Sequence, residues 1–183
     1  MTVKTIINQS ITQSIVQAIA SSWFIVLGAH IFVPFYPIPM TLQTFAVALI
    51  SLTMPLKVSL SSLALYVSYA AMGLPVLQGG NSGMVSLCGP SAGYIAGFFV
   101  MSTIIGLGMQ YFPNSGMIKR LSLVLLGTIA LFGLGITHLA SVLQWDWKLA
   151  FKLGVLPFVF SEPCKCILAT YLAIGMQNKY SNK

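Results

Sequence analysis

LSLVLLGTIALFGLGITHLASVL, Leu121 to Leu143, follows directly on Lys119-Arg120 and carries no charged residue. Wound as a helix, an apolar run of this length covers the ~30 Å hydrocarbon core of a bilayer, which needs roughly 17–25 residues. This run sets a helix near 120–143, and five further apolar runs, bounded by charges, Pro or Gly, lie near 11–32, 40–56, 58–74, 92–112 and 155–177. The sequence therefore predicts an all-α integral membrane protein of about six transmembrane helices, occupying 1–183 as a single transmembrane domain. The second and third runs are separated only by Met54-Pro55-Leu56-Lys57 and are expected to form a tight antiparallel pair.

Composition supports the same solvent. Hydrophobic residues make up 57% of the chain and charged ones 6%, whereas a soluble domain carries about a quarter charged residues. Asp146 and Glu162 are the whole acid complement. The net charge of +7 comes from cations spread between the apolar runs, not clustered on one face, so orientation explains it better than nucleic-acid binding does. With both termini cytoplasmic, Lys4, Lys57, Lys119, Arg120, Lys179 and Lys183 fall inside, and the first two outer loops hold no Lys or Arg. The third outer segment is mixed, with Trp145-Asp146-Trp147-Lys148 and then Lys152, and its Trp residues suit a headgroup belt.

Three cysteines, Cys88, Cys164 and Cys166, indicate neither a disulfide framework nor a metal site. No G-x-x-x-x-G-K-[ST] loop is present to cradle ATP phosphates, so any ATP-driven step requires another chain.

Three segments depart from plain bilayer-crossing sequence. GLPVLQGGNSGMVSLCGPS, from Gly73 to Ser91, breaks helix while staying largely apolar. Irregular backbone near membrane depth is tolerated where it is buried in protein or lines a cavity, and a flexible exposed loop with Asn81 in a turn is the alternative. Phe32 to Thr41 holds three Pro and three aromatic residues and reads as a stiff apolar cover, followed by Thr41, Gln43 and Thr44, which either cap the next helix or offer neutral hydrogen bonds inward. Glu162 and Lys165 lie three residues apart and share one helix face, as a mutually neutralising pair or as a site level with the Gly-rich segment. On the first helix Ser10, Ser14, Ala18 and Ser22 recur every four residues and form a small-residue stripe for close helix packing, within the chain or against another subunit.

Pro37-Ile38-Pro39-Met40-Thr41-Leu42-Gln43-Thr44, Gly73-Leu74-Pro75-Val76, Gly79-Gly80, Gly89-Pro90-Ser91-Ala92-Gly93-Tyr94 with Gly97-Phe98, and Gly154-Val155-Leu156-Pro157-Phe158 before Glu162 and Lys165 occur in one order along most of the chain. Together they resemble the BioY family of biotin-binding S components. The resemblance implies an ECF S-component-like six-helix bundle in the cell membrane, with biotin bound near its outer face. It also implies an energy-coupling factor (ECF) module made of a transmembrane scaffold subunit and two ATPase subunits. The partners consume ATP, and no cofactor is expected in this chain. The family commonly has Asp where this chain has Glu162, and Thr where it has Ser91.

On that resemblance, the ligand-binding residues are Asn81, Glu162, Lys165, Tyr94, Gln43 and Thr41. Biotin's ureido ring offers two N–H donors and one carbonyl acceptor beside an apolar thioether ring. Glu162 is expected to accept from a ureido N–H, Lys165 to donate to the ureido carbonyl or pair the valerate carboxylate, and Asn81 to complete the network. Tyr94, Phe35 and Tyr36 are candidates to cover the apolar part. Ser14, Ala18 and Ser22 are expected to contact the scaffold. Two competing functions are an S component for a different small vitamin, and an intramembrane serine protease built on Ser82 and His138.

Overall fold

The structure, a computed structural model, describes residues 11–142, residue 144 and residues 147–181. The expectations placed on Lys4, Ser10, Trp145, Asp146 and Lys183 lie outside the described residues, and the side chain of Lys179 does too. In chain order the elements are α1 (Ile11–His30), β1 (Phe32–Val33), β2 (Met40–Thr41), α2 (Gln43–Thr53), α3 (Leu56–Ala71), α4 (Gly83–Leu87), α5 (Ala92–Tyr111), α6 (Met117–Val142), α7 (Trp147–Gly154) and α8 (Ser161–Ser181). Short 3-10 turns sit at Gln78–Gly80 and Leu156–Phe158.

Among the described residues, α1, α5 and α6 are each long and apolar enough to cross a membrane alone. A fourth crossing arises if α7, its 3-10 turn and α8 are counted as one span, bent by 45°. Helices α2 and α3 have 11 and 16 residues, shorter than the runs at 40–56 and 58–74 led one to expect. The reason is local. Met40 and Thr41 are drawn into a hairpin in which Phe32 pairs with Thr41 and Val33 with Met40, and Pro55, extended at φ −56° and ψ 145°, breaks the chain between the helices.

The short α2 lies at the centre of the bundle, against α1, α5 and α8, while α3 packs on α1 and α5, and α6 on α5 and α8. Nine of its residues are buried, including Ala46, Val47 and Ala48 at 1% exposure each. Enclosure suits its polar residues Gln43, Thr44 and Ser51, which lipid could not hydrogen-bond, and small side chains let its neighbours close in. Buried polar contacts tie the helices where hydrocarbon would leave them unmet: Ser51 Oγ donates to Ser102 Oγ at 3.0 Å between α2 and α5, and Thr128 lies 3.5 Å from Cys166 Sγ between α6 and α8. At the α5–α6 seam, a Cβ on Gly97 would fall 2.9 Å from the Leu131 backbone, so these two backbones meet through glycine.

Ala18 and Ser22 are 5% and 0% exposed, on the face of α1 turned into the bundle, and Ser14 is half-buried. Ala18 and Ser22 thus pack against neighbours within the chain, while Ser14 keeps part of its surface open. A four-residue period marks a helix face without saying which neighbour it meets.

Candidate functional site

A cavity of about 50 Å³ opens at the end of the bundle where the hairpin, the Gln78–Gly80 turn, the start of α5 and the start of α8 converge. One wall is apolar. Tyr94 and Phe132 meet edge-on at 5.8 Å between centroids, Phe132 and Phe158 lie 5.4 Å apart, and Phe98 continues the surface from α5. Tyr94 is held by donating its hydroxyl to the Gly154 carbonyl at 2.9 Å. Ile38 and Pro39 face the cavity from the hairpin.

Another part of the lining is polar. Glu162 stands in the first turn of α8, where the helix dipole favours a carboxylate, and Lys165 is one turn further along the same face. Lys165 Nζ donates to Glu162 Oε1 at 2.6 Å and to the Thr41 carbonyl at 2.7 Å, so one ammonium joins α8 to β2. Both side chains are largely withdrawn from solvent, at 12% for Lys165 and 7% for Glu162. Thr41 Oγ1 donates to Gln43 Oε1 at 3.0 Å, and Gln43 Nε2 donates to the Tyr66 hydroxyl at 2.8 Å. The Gln43 amide is therefore engaged at both ends and positions the wall around it.

Two polar atoms of this lining have no hydrogen-bond partner. Glu162 Oε2 and Thr44 Oγ1 are both buried, and both residues border the cavity. Leaving a buried polar atom unmet costs about 1–3 kcal/mol, more for a charged group, so these two atoms are candidates to meet polar groups from outside the chain.

Of the expected ligand-binding residues, Thr41, Gln43, Tyr94 and Glu162 line the cavity, and Lys165 stands behind it, bonded to Glu162 and Thr41. Asn81 does not line it. Its exposed amide turns back to donate to the Gln78 carbonyl at 3.0 Å, and the side chain facing the cavity is Gln78, 3.4 Å from Ser91 Oγ. Gly79 and Gly80, at φ +68° and +78°, make the left-handed turn that reverses the chain between the two. The paired glycines signal a turn but not which flanking amide it presents inward. Phe35 and Tyr36, 44% and 87% exposed, do not cover the cavity, and Phe98, Phe132 and Phe158 supply its aromatic surface instead. The His138 ring lies 3.1 Å from the Gly89 carbonyl, and among the described residues no hydrogen bond joins it to Ser82, so the protease constellation is not assembled.

The family model described as the BioY family matches residues 1–182. The chain is 34% identical over 144 residues to biotin transporter BioY2 of Lactococcus lactis subsp. cremoris (strain MG1363), covering 79% of each. It is 34% identical over 151 residues to the probable biotin transporter BioY of Pyrococcus horikoshii, covering 82% of this chain and 88% of that one. Its fold is similar to the crystal structure of the S-component for biotin from an ECF-type ABC transporter, with a TM-score of 0.83 over 97% of this chain and 95% of that one at 23% identity. An ordered match over nearly the whole length, together with relatives at this identity, leaves one assignment: the chain belongs to the BioY family.

Proposed function

We propose that this protein is a substrate-binding subunit for biotin, acting in vitamin uptake with an ATP-driven energy-coupling module, and not an enzyme. The observation that carries the reading is the presence of two unpartnered polar atoms, Glu162 Oε2 and Thr44 Oγ1, and of the aromatic side chains Tyr94, Phe132 and Phe158 in the lining of a single cavity. Biotin presents the complement: ureido N–H groups and a ureido carbonyl on one side, an apolar thioether ring on the other.

Glu162 Oε2 accepts from one ureido N–H. The Thr44 hydroxyl, donor or acceptor by rotation, meets a second ureido group. Lys165 has three N–H donors, two of them directed to Glu162 and Thr41, and the third is left for the ureido carbonyl or the valerate carboxylate. The thioether ring packs on Tyr94, Phe132 and Phe158. Thr41 and Gln43 act by holding the polar wall, and Asn81 acts through its bond to Gln78. A cavity of about 50 Å³ is smaller than the ~300–1,000 Å³ of sites that enclose small-molecule ligands, so its lining moves outward when biotin is admitted.

The subunit lies in the cell membrane with both termini cytoplasmic and the cavity toward the outside. This follows the positions of Lys57, Lys119 and Arg120 at the opposite end of the bundle. A transmembrane scaffold and two ATPase subunits supply ATP hydrolysis. Cells that cannot make biotin provide the test: expressed with an energy-coupling module, the chain should support saturable uptake of labelled biotin that thiamine does not compete for. Uptake equal to that of cells lacking the chain would refute the assignment.

A further inference from the structure

Helix α7 has a sequence, WKLAFKLG, that neither the bundle core nor the cavity requires in full. At 3.6 residues per turn it divides into stripes. Trp147 and Phe151, one turn apart, are exposed at 61% and 49%. Lys148 and Lys152, also one turn apart, occupy the adjoining stripe and are exposed. Ala150 and Gly154 form the buried stripe by which α7 packs on α6. Neither lysine has a hydrogen bond or ion pair among the described residues, and even with Asp146 counted the segment keeps an excess of positive charge.

Together with its 3-10 turn, α7 is bent by 45° from α8, and the break exposes Val159 and Phe160 at 47% and 86%. A short helix with aromatic and basic stripes side by side, bent away from the helix that follows it, matches an element lying in the headgroup layer, with rings among acyl chains and ammonium groups among phosphates.

We infer that α7 is a docking surface for the phosphate headgroups of anionic phospholipids, with Lys148 and Lys152 as the headgroup contacts and Trp147 and Phe151 as the anchor. The surface also supports the cavity, because the last residue of α7, Gly154, provides the carbonyl that holds the Tyr94 hydroxyl. The inference stands apart from the identity of the transported ligand.

The experiment uses the full chain with Trp23→Phe and Trp145→Phe, which leaves Trp147 as the reporter, in nanodiscs of phosphatidylcholine with a minor fraction of phosphatidylglycerol. Brominated acyl chains are placed on one lipid or the other. Trp147 should be quenched more by brominated phosphatidylglycerol than its surface fraction accounts for. Lys148→Gln with Lys152→Gln should abolish that excess, at roughly five-fold in lipid preference per lysine, and the double Arg variant should keep it. Thermal unfolding of the double Gln variant checks that the bundle is intact. Quenching in proportion to surface fraction, an excess that survives the double Gln change, or a Trp147 quenched by neither lipid would each overturn the inference. The first of these would instead direct the lysines to an acidic surface on a neighbouring protein.

Discussion

Lys165 Nζ lies 2.7 Å from the carbonyl oxygen of Thr41, 124 positions earlier in the chain. The same ammonium holds Glu162 Oε1 at 2.6 Å, so the contact fastens the hairpin to α8 and at the same time orients the carboxylate that borders the cavity. The proposed binding role and the stability of the bundle meet in this pair.

Lys165→Met should therefore do two things. It leaves a buried carboxylate without its partner, which destabilises by about 3–5 kcal/mol, and it removes the donor proposed for biotin. Glu162→Gln added to Lys165→Met should restore much of the stability, since a neutral amide replaces the orphaned charge, but should leave biotin affinity low. Unfolding in mixed micelles and biotin titration of the same samples separate the two effects. Recovery of both together would mean that the pair is structural only.

Thr44→Val keeps shape while removing a buried hydroxyl that has no partner in the bundle. Stability should hold or rise, because an unmet polar group costs about 1–3 kcal/mol. Affinity for biotin should fall by roughly ten-fold, the equivalent of one lost hydrogen bond of about 1.4 kcal/mol. Unchanged affinity in calorimetry would remove Thr44 from the site.

The Gln78–Gly80 turn sets one amide toward the cavity and the other toward solvent. Gln78→Ala should weaken biotin binding more than Asn81→Ala, which loosens the turn without deleting a cavity group. A larger loss from Asn81→Ala, measured at equal thermal stability, would place Asn81 on the ligand.

Gly97→Ala would set a methyl group 2.9 Å from the backbone of Leu131. Backbone cannot retreat as a side-chain tip can, so the change should cost about 1–3 kcal/mol and lower the unfolding midpoint. An unchanged midpoint would show that α5 and α6 separate more readily than their packing indicates.

The long helices were legible because hydrophobicity without charge is itself the signal: α1, α5 and α6 fall where their apolar runs stand. The extents of α2 and α3 were not, because the pairing of Val33 with Met40 is a contact across the Pro-rich loop that no local periodicity records. Helix α7 stayed hidden for a different reason. Its lysines and tryptophan interrupt an apolar count, and Pro157 marks the break that follows it. In the cavity, Glu162, Tyr94, Gln43 and Thr41, and Lys165 behind it, stood out by residue type against an apolar background and by resemblance to the family. Phe98, Phe132 and Phe158 did not, since in a chain with 11 Phe nothing in sequence distinguishes a cavity wall from core packing. Direction was the recurrent gap. The Ser14–Ala18–Ser22 stripe and the Gly79–Gly80 turn were each recognisable, but which way they faced depended on neighbours far away in the chain.

Titration of the purified, ligand-stripped chain with biotin, followed by calorimetry and with thiamine as the control, tests the central claim most directly. Saturable binding at one site, selective for biotin and weakened by Glu162→Gln in folded protein, is the predicted result. Folded protein that binds no biotin, or binds thiamine equally well, would contradict the account and leave only the membrane bundle standing.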